Sequence, residues 1–255
     1  MKRLFSSLGV LVALLVTVMP ASSLSPASQP MQAPRVPVKE GTSQNWAGYA
    51  VETSLTSPQN NAVSDVKGTW VVPSVSASSA TNSYSSVWVG IDGYLDNTVE
   101  QIGTEQDWYN GAARYYAWVE MYPKLPSRIS YTVSPGDIMT AEVKYTGNNQ
   151  FVLTLKDTTT GKSYSTTQKA PRAQRQSAEW IVEAPWSGGV LPLANFGTAS
   201  LSNASATLNG HTGTISDPAW QNDSINMVTS SGTVKAQTSP LSTDNTSFTV
   251  TWLHN

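Results

Sequence analysis

The chain has 255 residues, a formal net charge of -2 and 13% charged residues. It is long enough for a sizeable core, but it has no concentration of basic residues that would bind nucleic acid. It contains no cysteine, which excludes disulfides, thiolate nucleophiles and zinc sites that need sulfur. Few charges and frequent Ser, Thr, Asn and Gly are typical of an extracellular β-protein rather than a cytosolic helical one.

The first 23 residues have the three-part layout of a secretory signal peptide: two basic residues, an apolar run at 8–19 and small residues after it. The apolar run is too short to span a membrane comfortably, so we expect export and no stable membrane association after cleavage. Residues 24–43 are rich in Pro, Ser and Ala without hydrophobic periodicity, which predicts a disordered linker or a short pro-segment. Residues 44–255 are expected to form one domain.

The expected domain is a succession of short strand patterns separated by turn clusters such as Asn110-Gly111 and Asn209-Gly210. No window has a sustained helical period. The pattern predicts an all-β fold, an antiparallel β-sandwich. The predicted strands are 46–52, 66–72, 86–91, 100–103, 115–122, 138–145, 150–157, 162–168, 179–183, 199–208, 225–229 and 247–253.

In the segment from residue 86 to residue 123, apolar side chains and chemically functional side chains are predicted to lie on opposite faces of the strands. Alternate residues of a strand point to opposite faces. The predicted core face carries Val87, Val89 and Ile91, and the opposite face carries Trp88 and Asp92. The run 115–122 repeats the division, with aromatic and acidic residues opposite small apolar ones. In the run 178–185 one face carries Ala178, Trp180 and Val182, and the other carries Glu179, Ile181 and Glu183. A face of Trp, Tyr, Asp, Glu and Gln is costly to bury dry, so we expect a hydrated groove.

Histidine and zinc chemistry have little support. The two histidines, His211 and His254, lie beside a turn and near the C-terminus, far in sequence from the aromatic strands, which disfavours a Ser-His-Asp triad. There is no HExxH motif. Carboxylate and amide chemistry remains. The candidate groups are acidic residues in or beside largely apolar strands: Asp92, Asp107, Glu120, Glu179 and Glu183.

Five motifs occur in order along the chain. They are NWAG at 45–48, WVGIDG at 88–93, QIG at 101–103 followed by DWY at 107–109, YAWVE at 116–120 with YP at 122–123, and AEWIVE at 178–183. Together they resemble the glutamic peptidases, also called eqolisins. The resemblance implies a concanavalin-like jelly roll, in which two long, bent antiparallel sheets form a cleft.

The resemblance also implies a secreted acid endopeptidase that hydrolyses peptide bonds with a Gln/Glu dyad. By motif position the catalytic residues are Gln101 and Glu183. The Gln101 amide would stabilise the oxyanion at any working pH. Glu183 would act as a general base and then as a general acid on a water molecule. An unperturbed Glu pKa of about 4.3 suits acid operation, in which a histidine would stay protonated.

Further positions match residues that line and support the family's cleft: Trp46, Trp88, Asp92, Asp107 and Glu120. We expect Glu179 to support the site as well, and Asp92 and Asp107 to hold Gln101 or tune Glu183. No metal or cofactor is implied. The expected partners are polypeptide substrates and not nucleic acid, and a monomer is expected.

Two other functions fit parts of the pattern. A jelly-roll glycosidase also combines a Trp-lined groove with two carboxylates, which here would be Glu120 and Glu183. A non-catalytic carbohydrate-binding sandwich would use the nine Trp and ten Tyr residues for stacking. Release of reducing sugar, release of peptide amines, or binding without turnover distinguishes the three.

Overall fold

The computed structural model describes residues 41–255, so the predicted signal peptide and nearly all of the predicted linker lie outside the described residues. The described chain is built from β-strands, which confirms the all-β prediction. No helix in this part of the chain is long and apolar enough to cross a membrane. The last two residues of the predicted linker, Thr42–Ser43, form a short strand that pairs in parallel with Asn226 and Met227.

Sixteen strands are present among residues 41–255. They are β1 (Thr42–Ser43), β2 (Trp46–Glu52), β3 (Val63–Val71), β4 (Ser86–Ile91), β5 (Val99–Tyr109), β6 (Ala112–Tyr122), β7 (Ser127–Ile129), β8 (Ile138–Gly147), β9 (Gln150–Asp157), β10 (Ser163–Lys169), β11 (Ser177–Glu183), β12 (Thr198–Leu208), β13 (His211–Gly213), β14 (Gln221–Val228), β15 (Val234–Thr238) and β16 (Phe248–Trp252).

The strands form one hydrogen-bonded path, β10-β9-β8-β3-β12-β16-β15-β14-β2-β11-β4-β5-β6-β7, with β1 on β14 and β13 on β12. This path folds back on itself into two layers. Trp180 Nε1 in β11 donates to the Lys67 carbonyl oxygen in β3 at 2.6 Å. Trp70 Nε1 in β3 donates to Thr104 Oγ1 in β5 at 2.9 Å. The half of the path that contains β3 therefore packs on the half that contains β11, β4 and β5, as predicted for an antiparallel sandwich.

The main core lies between these two layers. Val87, Val89 and Ile91 of β4 are fully buried in it, which confirms the predicted core face of that strand. The layers approach each other closely at Gly68, where a Cβ atom would lie 2.8 Å from Trp180 Cδ1 and 2.9 Å from Val89 Cγ1. Glycine is needed there because any side chain would push the layers apart.

The other face of the layer β2-β11-β4-β5-β6 carries a second apolar cluster that includes Trp46, Trp88, Trp118 and Ile181. These residues alternate along their strands with residues of the main core, as predicted from the period-2 pattern. The indoles of Trp46 and Trp88 meet edge to face, with ring centroids 5.0 Å apart. This aromatic face is where the predicted site residues lie.

Candidate active site

Backbone register shows which predicted site residues share the aromatic face. Residues directly opposite each other on paired antiparallel strands point to the same side of a sheet. Glu183 lies opposite both Trp46 and Ser86, and Gln101 lies opposite both Gly90 and Glu120. Alternation along the strands then places one set of predicted residues on this face: Trp46, Trp88, Gln101, Asp107, Glu120, Glu179 and Glu183.

Both carboxyl oxygens of Glu183 are held by donors from other strands or loops. Asn45 Nδ2 donates to Oε1 at 3.0 Å, and Trp88 Nε1 donates to Oε2 at 2.7 Å. Asn45 is itself fixed by Ser43, whose hydroxyl donates to Asn45 Oδ1 at 3.1 Å. The role of Asn45 was not predicted from the sequence, although the residue opens the NWAG motif. These contacts fix the orientation of the Glu183 carboxyl.

Burial raises the pKa of Glu183 to about 7, while hydrogen bonds from Trp88, Trp46 and Asn45 oppose the rise. The sequence-based expectation of an ordinary Glu pKa is therefore wrong. The physical reason is desolvation, since Glu183 is only 2% exposed and a carboxylate loses its hydration there. In acid, Glu183 is consequently a neutral carboxylic acid with one proton to donate and acceptor capacity left on both oxygens.

Gln101 is fully buried in β5, and its Nε2 donates to Glu120 Oε2 at 2.6 Å. A side-chain amide nitrogen carries two protons, so the contact with Glu120 uses one and leaves the other for a further acceptor. Glu120 therefore orients the amide. Gly90, opposite Gln101, makes room for this arrangement, because a Cβ there would lie 3.1 Å from Gln101 Cβ and 2.9 Å from Trp88 Cζ3.

The indole of Trp88 lies between the two predicted catalytic residues. Its nitrogen contacts Glu183, and its six-membered ring extends over Gly90, the residue opposite Gln101. On the neighbouring strand a Cβ at Gly103 would lie only 2.6 Å from Trp88 Cβ. Two glycines thus accommodate one tryptophan. The structure places Glu183 and Gln101 on strands β11 and β5, on either side of β4 and of this ring.

Asp92 has a different role from the one expected. It lies one residue beyond β4 with φ of 72°, and its carboxylate accepts hydrogen bonds from the backbone N–H groups of residues 174, 175 and 176 at 2.8, 2.8 and 2.7 Å. These hydrogen bonds of Asp92 go to the backbone of residues 174–176 rather than to Gln101 or Glu183, because the chain turns away after β4. Asp92 instead fixes the segment that leads into β11.

Asp107 acts on a neighbour that sequence reasoning missed. Its carboxyl interacts electrostatically with that of Glu105, two residues earlier on the same face of β5. Burial raises the pKa of Asp107 to about 7 and the pKa of Glu105 well above its ordinary value. The nearby charges of Asp107 and Glu183 raise the pKa of Glu105 further. Glu105 on β5 and Glu183 on β11 both pair with Ser86, which lies on the strand β4 between them. Glu105 lies between Gln101 and Asp107 in the alternating set of residues on one face of β5, and this alternation could have identified it from the sequence.

Glu179 belongs to a group of buried carboxyls near one end of this layer, called here the end cluster: Glu52, Asp92, Asp96, Glu100 and Glu179. Burial is the largest cause that raises the pKa of Glu52 and of Asp96 to about 8, and mutual repulsion adds to it. The pKa values of Glu100 and Glu179 are raised well above the ordinary range for the same reasons. Across residues 41–255 no group of three or more His, Cys, Asp or Glu residues is arranged to hold a metal ion.

The residues of the predicted groove are deeply buried in the protein. Trp46 is 5% exposed, Glu183 2% and Gln101 fully buried. The raised pKa values of Glu105, Asp107, Glu179 and Glu183 lower the cost of burying them, since a neutral carboxyl is far cheaper to desolvate than a carboxylate.

Comparison with known proteins agrees with this arrangement. The profile of the Peptidase A4 family matches residues 44–252. The chain is 32% identical to aspergillopepsin-2 of Aspergillus niger over 68% of this chain and 67% of that protein. It is 33% identical to scytalidopepsin B of Scytalidium lignicola over 58% of this chain and 55% of that protein.

Solved structures of similar proteins share the fold. Scytalido-glutamic peptidase with a peptide based transition state analog has a TM-score of 0.67 at 25% identity, covering 82% of this chain and 98% of that chain. Aspergilloglutamic peptidase from Aspergillus niger has a TM-score of 0.58 at 31% identity, covering 67% of this chain and 99% of that one. Fold and site define a β-sandwich peptidase of the glutamic type. The chain belongs to the Peptidase A4 family.

Proposed function

We propose that Gln101 and Glu183 are the catalytic dyad of this acid endopeptidase. The observation that carries the proposal is the fixed environment of the two groups on one face. Asn45 and Trp88 hold both oxygens of Glu183, and Glu120 orients the Gln101 amide. Such preorganised groups stabilise a transition state without reorganising during the reaction.

The raised pKa of Glu183 changes the order in which protons move. In acid the carboxyl starts protonated, so a carboxylate base is not the resting form. In the addition step the water oxygen bonds to the scissile carbonyl carbon. One Glu183 oxygen takes a proton from that water as the other gives its proton to the carbonyl oxygen. Glu183 therefore stays neutral, which suits a buried site.

Gln101 acts on the carbonyl oxygen during this addition. Negative charge develops there before the proton arrives, and the free N–H of the Gln101 amide donates a hydrogen bond to it. In the second step Glu183 donates its proton to the amide nitrogen and accepts one from a hydroxyl of the hydrate. The C–N bond breaks, a carboxylic acid and an amine leave, and Glu183 is neutral again.

Polypeptides are the proposed substrates, which fits the peptide based transition state analog bound to scytalido-glutamic peptidase. We place the peptidase domain at 44–255, preceded by a signal peptide at 1–23 and a linker or pro-segment at 24–43, so that the mature protein is secreted. We also propose that the enzyme is a monomer and that it acts without a metal or cofactor.

The glycosidase alternative is not favoured. It needs Glu120 as an acid or nucleophile facing a sugar, whereas the Glu120 carboxyl accepts the hydrogen bond of Gln101. The family match also favours peptide hydrolysis over both this alternative and a carbohydrate-binding sandwich. Reducing-sugar release at low pH, measured beside release of peptide amines, checks this point.

The proposal is tested with casein at about pH 4, near the unperturbed Glu pKa. Wild type, Glu183→Gln and Gln101→Ala are compared for release of peptide amines, with and without a chelator. We expect cleavage by the wild type in both conditions and none above background by Glu183→Gln. Cleavage by Glu183→Gln at the wild-type rate would overturn the dyad.

A further inference from the structure

A second site lies outside the catalytic face. A cavity of about 500 Å³ forms where β14, β15 and the loop after β11 meet. Residues that contribute to its wall include Gln44, Ser79, Val190, Pro192, Thr229 and Lys235. Its volume falls in the range of pockets that hold small ligands. The lining residues include neither Asp nor Glu, so the one charged side chain in the wall is that of Lys235.

A β-bulge places Lys235 in this wall. In the β14–β15 ladder Met227 pairs with Ala236, and the next residue, Val228, pairs with Val234. Lys235 is therefore the extra residue, with no opposite residue on β14. Its carbonyl oxygen is nevertheless used, because it accepts hydrogen bonds from Leu253 N at 2.8 Å and from His254 N at 3.2 Å. Bulges redirect side chains and are common beside functional sites.

Lys235 is largely buried, and no salt bridge found among residues 41–255 joins it to a carboxylate. The residue is 7% exposed. Burial lowers the pKa of Lys235 to about 8, so the group still carries its charge in acid and at neutral pH. A buried, unpaired cation costs free energy that a bound anion would offset.

The rest of the wall suits one kind of anion. The Ser230 hydroxyl provides a polar contact, whereas the Ser79 hydroxyl already donates to Asn255 Oδ1 and the Thr229 hydroxyl is bonded to that of Ser231. Val190 and Pro192 provide an apolar side. A planar anion attached to a short carbon chain uses both surfaces, since its oxygens accept from the ammonium and the Ser230 hydroxyl while the chain contacts the apolar side.

We propose that the cavity at Lys235 is a binding site for a carboxylate group, carried either by the C-terminus of a peptide or by a small free organic acid. The cavity also lies close to the catalytic face along the chain. Gln44 directly precedes Asn45, which holds Glu183, and Val190 and Pro192 belong to the loop that follows β11. Carboxylate binding at Lys235 does not depend on the proposed dyad.

Isothermal titration at pH 6 with three probes tests the site. N-acetylalanine carries the carboxylate of a peptide C-terminus, N-acetylalaninamide is its uncharged match, and succinate represents a free organic acid. We expect heat of binding with N-acetylalanine or succinate and none with the amide. Tighter binding of N-acetylalanine than of succinate identifies the peptide terminus as the source, and the reverse order identifies the free acid.

Two lysine substitutions locate the binding. Lys235→Met and Lys235→Gln should each weaken carboxylate binding by about tenfold to a hundredfold, the usual loss for one charge-assisted hydrogen bond. The matched control is Lys156→Met, which removes the same charge from an exposed position on β9 and should bind as the wild type does. Thermal unfolding shows whether each variant is folded, and Lys235→Gln serves if the methionine variant is not. Absence of binding by both acids, or equal binding by the folded Lys235 variants, would overturn the proposal.

Discussion

Trp88 and Glu183 are joined by a hydrogen bond of 2.7 Å from the indole Nε1 to Oε2. The two residues are diagonal neighbours, since Ile181 lies opposite Trp88 and Ser86 lies opposite Glu183. A long aromatic side chain can span such a diagonal. The bond moderates the pKa that burial raises to about 7, and it places the ring between Glu183 and the strand of Gln101.

Replacement of Trp88 by Phe removes this donor and keeps most of the ring. Loss of a hydrogen bond to the charged form raises the pKa of Glu183. The proposed mechanism needs the protonated carboxyl, so activity falls as pH rises through that pKa. We therefore expect the alkaline limb of kcat/KM to move to higher pH by about one unit, the effect of roughly one hydrogen bond.

The control for this variant is Trp180→Phe, which removes a hydrogen bond to the Lys67 carbonyl in the core between the layers. It should lower the free energy of unfolding by about 1 kcal/mol and leave the alkaline limb where it is. A limb that moves to lower pH in Trp88→Phe, or moves equally in both variants, would contradict this role of Trp88.

Glu120→Gln tests the orientation of the Gln101 amide. The substitution keeps the shape but replaces the carboxylate that accepts from Gln101 Nε2 at 2.6 Å. We expect kcat to fall by about tenfold or more with a smaller change in KM, because the contact positions a donor that acts in the transition state. Glu120→Asp, which keeps a carboxylate, should recover part of the loss. An unchanged kcat in Glu120→Gln would show that Gln101 needs no such partner.

Asp92→Asn tests a structural against a catalytic role. The asparagine side chain turns one acceptor into an NH₂ group facing the backbone N–H groups of residues 174–176. The free energy of unfolding should fall by about 1–3 kcal/mol, as measured by urea unfolding at one pH. The pH dependence of kcat/KM should be that of the wild type. A displaced pH profile at unchanged stability would mean that Asp92 tunes the catalytic carboxyl after all.

The end cluster makes stability depend on pH. The pKa values of Glu52 and Asp96 are about 8 in the folded protein, against about 4 in an unfolded chain. Between these values the folded state holds protons that the unfolded state has released. The stabilisation is therefore complete below about pH 4 and is lost as pH rises to about 8.

Glu52→Gln checks this dependence, because an amide stays neutral throughout. Thermal unfolding measured from pH 4 to pH 8 should show a midpoint that falls with pH in the wild type and falls less steeply in Glu52→Gln. Asp244→Asn, a change at an exposed position outside the cluster where the carboxyl pKa is lowered rather than raised, should keep the wild-type slope. A midpoint that rises toward pH 8 would contradict the raised pKa values.

Much of the fold follows from period-2 alternation. The predictions for β2, β4 and β9 have the observed bounds. Strand β5 was predicted at 100–103 but spans Val99–Tyr109. Residues 105–107 are polar and do not show the apolar alternation of a strand, although their pairing with β6 continues to the Asn110-Gly111 turn. The strands β1, β7, β13 and β15 were not predicted. The first three have only two or three residues, which are too few to show alternation.

The candidate site was accessible from sequence only in part. Motif order identified Gln101 and Glu183, and alternation placed them opposite the core. The contact of Asn45 with Glu183 joins residues 138 positions apart, so no local pattern reveals it. The pKa of Glu183 likewise depends on burial by residues from several strands, a property of the packed structure that no single segment carries.

The central claim is that one amide and one carboxyl perform the hydrolysis. Its most direct test is the rate of cleavage of a single peptide bond in a synthetic substrate at about pH 4, measured for wild type, Gln101→Ala, Glu183→Gln and the double variant. Because the two groups act on one transition state, each single variant should lose nearly as much activity as the double variant, with circular dichroism spectra like that of the wild type. Wild-type turnover by either folded single variant would contradict the account.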